Sequence, residues 1–121
     1  MISLLKKGSS EYSSRYRAII NKLIDDIIAE IPTDIQHLAL VGYFRNAKTS
    51  LAYTAPELLD NSVSAVLNIL RLYVPWEYEE SKNPQWIINI RKIWKAAIEL
   101  IDNGLVEKAT GPPQTAESEE P

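Results

Sequence analysis

His37 is the only imidazole in the chain, and no cysteine accompanies it. Zinc sites and acid–base triads draw on several His or Cys side chains, so neither is expected from one chain of this composition. Lack of cysteine also excludes disulfide staples, thiol catalysis and iron–sulfur ligation. Asp25, Asp26 and Glu30 come nearest to a cation site, but adjacent helical residues point about 100° apart, so these acids read as a solvated face. Glu77, Glu79 and Glu80 share the segment 75–83 yet lack the ligand spacing and turn glycine of a calcium loop. Glycines at 8, 42, 104 and 111 are too dispersed to cradle a phosphate or a dinucleotide. The expectation is a chain that is not an enzyme and takes no cofactor.

Charge and apolar surface remain as sources of function. Arg91, Lys92 and Lys95 share one flank of a helix, Arg45 and Lys48 lie together on another, and Tyr43 and Tyr53 are near in sequence. Such groups hold a nucleic-acid backbone where they converge on one face. Convergence depends on how two helices pack, which spacing leaves open. Glu99, four residues after Lys95, and Asp102 on the flank of Arg91 are expected to neutralise the cluster. The chain as a whole offers no positive field: 13 Lys and Arg stand against 16 Asp and Glu. Three of those acids, Glu117, Glu119 and Glu120, fall in the last five residues. The body before them is therefore neutral, which disfavours nonspecific nucleic-acid binding.

The elements that must position these groups follow from apolar period and punctuation. In residues 10–31, Tyr12, Tyr16, Ile19, Ile20, Leu23, Ile24, Ile27, Ile28 and Ile31 recur on one helical face. Ser9 or Ser10 is the expected cap, and Pro32 disfavours helical backbone before it. Arg15, Lys22, Asp25 and Asp26 form the opposite, solvated face. Thr33-Asp34-Ile35-Gln36 reads as a capping box opening a second helix that runs to about Ala52. Leu40, Phe44, Ala47 and Leu51 form its core stripe, while Ile35, Leu38 and Val41 face the other way. Gly42 costs about 1 kcal/mol inside a helix, so a close backbone crossing is expected there. The competing assignment for 37–44 is a buried strand, because short apolar runs are ambiguous.

Thr54-Ala55-Pro56-Glu57 combines a Thr cap, a proline in the first turn and a glutamate at the third helical position. The third helix, through Tyr73, carries Leu58, Leu59, Val63, Val66, Leu67, Ile69, Leu70, Leu72 and Tyr73 over more than half its girth, which predicts a central position. Residues 75–83 break every period. Asn83-Pro84 reads as cap and first position of a fourth helix reaching about Asn103. There Ile87, Ile90, Trp94, Ala97, Ile98 and Ile101 face one way, widened by Trp86, Ile93 and Leu100. Gly104 followed by Leu105 fits a Schellman stop.

These signals predict an all-α, compact, four-helix bundle-like domain over 9–106, with an N-terminal arm at 1–8 and a disordered acidic tail at 107–121. At 121 residues one domain is expected. Met1 to Lys7 holds too few apolar residues for a signal peptide, and no stretch approaches the roughly 18 of a membrane span, so the expected setting is cytoplasmic with no membrane partner. The second, third and fourth helices carry more apolar surface than one stripe each, and large exposed apolar patches are rare on monomers. A protein-interaction or assembly module is therefore expected, with a protein partner or a second copy covering Ile35, Leu38 and Val41, and Trp76 and Trp86 as aromatic anchors. The alternative partner is nucleic acid, held by Arg45, Lys48, Arg91, Lys92 and Lys95 within a larger complex.

Overall fold

A computed structural model describes residues 10–104, which form four α-helices and, among the described residues, no strand. The helices are α1 (Ser10–Glu30), α2 (Leu38–Ala52), α3 (Leu59–Tyr73) and α4 (Gln85–Glu99), the last continued by a π-helical turn over Leu100–Gly104. The expected all-α class is therefore the observed one. The expected arm at 1–8, the tail at 107–121 and the Schellman partner Leu105 lie outside the described residues.

Tyr12, Tyr16, Ile20, Leu23, Ile24, Ile27 and Ile31 of the first apolar face are all buried, with Ile19 and Ile28 packed at the edge. Leu40, Phe44 and Leu51 of α2, Leu59, Val66 and Leu70 of α3, and Ile87, Ile90 and Ala97 of α4 complete one core. α1 is the hub, packing against each of the other three helices. α2 and α3 also pack on each other, whereas α3 and α4 lean on α1 without closing together. The expected central place of α3 is thus corrected. Its apolar girth is wide, but Leu72 and Tyr73, with Leu58 just ahead of it, stay exposed.

Polar bonds tie α1 to the same three neighbours. The Tyr16 hydroxyl donates to the Asp60 carboxylate on α3. The Arg17 guanidinium donates to the Leu51 and Thr54 carbonyls where α2 ends, supplying charge where a helix C-terminus favours it. Lys48 of α2 pairs with Asp25 at 2.6 Å, and Asn89 of α4 donates to Glu30 at 2.9 Å.

Three expected caps are built differently. A 3₁₀ turn over Ile35–His37 precedes α2 with Asp34 at its cap position, and no side-chain cap bond forms; Asp34 pairs with His37 instead. Pro56 does open the next turn, but Ala55 is the cap residue and the Thr54 hydroxyl turns back to donate to the Ser50 carbonyl at 2.7 Å. Asn83 is buried and faces the loop: its side chain accepts the Glu77 N–H at 2.8 Å and donates to the Glu77 and Glu80 carbonyls. The close crossing expected at Gly42 is absent. A Cβ at that position would meet nothing within 4 Å, so the glycine borders open space.

Candidate interaction surfaces

The residues singled out for protein contact separate in the fold. Ile35 is 83% exposed and Leu38 62% exposed at the start of α2. Val41 is partly buried against the core, as are Trp76 and Trp86. Trp86 meets the His37 ring edge-on at 5.2 Å, which locks the turn before α2 onto the start of α4. Trp76 donates its indole N–H to the Leu70 carbonyl at 3.3 Å, and the Arg91 guanidinium lies 4.9 Å from its ring centre. Positions 86 and 91 stand about 140° apart on a helix, so the two indoles mark opposite flanks of α4. The five residues do not form one patch.

The five candidate cations separate as well. Lys48 is drawn to Asp25 of α1, and Arg45 lies one turn before it on α2. Lys92 points to solvent. Arg91 and Lys95 line a cleft of about 300 Å³ between α3 and α4, together with Arg71, Leu67, Leu70, Trp76 and Trp94. Sequence reasoning missed Arg71, which joins them only because α3 runs antiparallel to α4. The expected neutralisation does not occur, since neither Arg91 nor Lys95 forms an ion pair among the described residues. Asp102 is three turns from Arg91, roughly 16 Å along the helix. Lys95 precedes Glu99, the weaker order for an i,i+4 pair.

A second cleft of about 440 Å³ is lined by Tyr12 and Tyr16 of α1, Asp60, Val63 and Ser64 of α3, and Ile98, Ile101 and Asp102 of the α4 end. Successive turns of α3, carrying Asp60, Ser64, Leu67 and Arg71, face successive turns of α4, carrying Asp102, Ile98, Lys95 and Arg91. Two clefts thus lie end to end along α3 and α4, one lined by the carboxylates and the other by the cations, with Val63, Ile98 and Leu67 among their aliphatic walls. At the acidic end, burial first and the Asp60 hydrogen bond second push the Tyr16 phenol well above its ordinary range. That phenol therefore serves as a fixed donor to Asp60.

Among the described residues no three His, Cys, Asp or Glu side chains are grouped to hold a metal ion, and no helix is long and apolar enough to cross a membrane. Asp25 and Asp26 are paired with Lys48 and Lys22, and Glu30 accepts from Asn89. No family model matches the chain, and neither a curated protein nor a solved structure matches it. The fold therefore defines the class, an all-α four-helix chain centred on α1.

Proposed function

We propose that this chain is a non-catalytic helical interaction module that self-associates through the corner where α2 begins. The observation supporting this reading is the exposure of Ile35 and Leu38, two large aliphatic side chains within one turn of each other. Burying such a side chain contributes about 1.5–3 kcal/mol, and the folded chain leaves both unused. A second copy laid across this corner would cover them. Gly42, one turn beyond Leu38 and bordering open space, would let the two backbones approach closely.

Sedimentation across micromolar concentrations tests the reading. The expected result is a dimer that Ile35→Asp with Leu38→Asp converts to monomer while the helical circular dichroism stays unchanged. A strict monomer at every concentration overturns self-association.

The nucleic-acid reading draws its support from Arg71, Arg91 and Lys95 around two indoles. Against it, Lys48 is already paired, and Asp60 and Asp102 line the adjoining cleft. The isolated protein is expected to retain neither single-stranded nor duplex nucleic acid near physiological salt. A gel shift at low micromolar concentration, lost on replacing Arg91, Lys92 and Lys95 by Ala, would reverse the order of the two readings.

A further inference from the structure

The two clefts between α3 and α4, taken together as one groove, carry an inference separate from the Ile35–Leu38 corner, resting only on the reading of the chain as an interaction module. We infer that this groove seats an amphipathic helix of a partner protein, one bearing carboxylates at one end of its buried face and Lys or Arg at the other.

Three observations lead there. First, α1 lies under both walls, so a helix laid between α3 and α4 would complete a layer over it, as in helix-in-groove recognition. Second, the two clefts together run from Asp60 to Arg71 on α3, eleven residues or roughly 16 Å, which is about three helical turns. A stretch of that length is a natural unit for apolar anchors at i, i+3, i+4 and i+7 against Val63, Leu67 and Ile98. Third, the two ends differ in sign. Arg71, Arg91 and Lys95 have no carboxylate partner among the described residues, and Asp60 and Asp102 have no cation.

That bipolar pattern also decides between classes of partner. A nucleic-acid strand running the length of the groove would seat phosphates on the cations and then drive further phosphates onto Asp60 and Asp102. A helix with separated charges meets attraction at both ends. Charges of this kind set orientation and reject wrong partners.

The test uses the full chain and a fluorescein-labelled designed peptide of about four helical turns, with a leucine stripe, Glu at one end and Lys at the other. Binding is read by anisotropy and by the emission of Trp76 and Trp94. The expected result is saturable binding with a micromolar Kd, weakened at least about tenfold when a peptide of the same composition has its charges interleaved. Arg71→Glu with Lys95→Glu should weaken binding by a similar factor. A peptide with Lys at both ends should bind that double variant better than the original peptide does, a rescue that an unfolded variant would not give.

Absence of binding by the charge-separated peptide, equal binding by the interleaved one, or tighter binding of a labelled single-stranded oligonucleotide would each overturn the proposal. A changed sedimentation profile in the Arg71→Glu, Lys95→Glu variant would assign the groove to a second copy and overturn it as well. The Ile35→Asp, Leu38→Asp variant should bind the peptide as the parent does, so failure of the self-association reading and failure of this one are told apart.

Discussion

Tyr16 shows how far a side chain's role depends on partners that sequence spacing does not announce. Its place on the buried face of α1 follows from period alone, because the apolar positions repeat at helical spacing around it. Its bond to Asp60 spans 44 residues and exists only because α3 packs on α1. The linkage has a definite sign. A phenol held above its unfolded value of about 10 contributes stability that is complete below that pH and is lost as pH rises toward the folded value. Urea titrations of the parent and Tyr16→Phe at about pH 9 and about pH 11 should therefore show the parent losing more stability over the interval. At the lower pH the substitution should cost about 1 kcal/mol, the net value of an ordinary hydrogen bond rather than the larger one of a buried bond to a charge, because Asp60 is exposed and water can replace the phenol. Equal losses over the pH interval would mean that Tyr16 is neither buried nor bonded in solution as it is here.

The helices themselves were legible because period, proline and glycine agree along the chain, whereas their first turns were not. Thr54 and Asn83 are good cap residues that the fold uses elsewhere, one closing α2 and the other clamping the loop before α4. A cap pattern specifies a residue's capacity to bond, and tertiary geometry chooses the partner. Asn83→Ala removes three bonds to a buried side chain and should cost about 1–3 kcal/mol, measured by thermal unfolding. No cost would place the clamp among solvent-satisfied contacts. The cost of Gly42 within a helix suggests a crossing point, but no crossing is there to offset it. Gly42→Ala should raise the stability of the monomer by about 0.5–1 kcal/mol, since nothing stands where the methyl would go. If the same substitution weakens self-association in sedimentation, the open space at Gly42 is where the second copy approaches.

At the level of the whole molecule, apolar breadth was a poor guide to position. α3 has the widest apolar girth, yet α1 holds the centre, because a 21-residue helix offers more length of face than its three 15-residue neighbours. The groove was equally hidden: half of it came from cations weighed in sequence, and the other half required knowing that Arg71 and Asp60 face α4. This architecture makes α1 the structural link for everything else, which gives the fold a testable cooperativity. Ile24 is fully buried at the middle of α1, and Ile24→Ala should cost about 2–5 kcal/mol, a large share of the roughly 5–15 kcal/mol that holds a domain folded. Because α2, α3 and α4 each lean on α1, amide exchange should speed up by one common factor in all three, as expected for a single cooperative unit. Ile90→Ala on α4 should act the same way through the shared core. If exchange instead accelerates in α4 alone while α2 and α3 keep their protection, the α2–α3 pair is a separate folding unit, and the open seam between α3 and α4 is the boundary between the two.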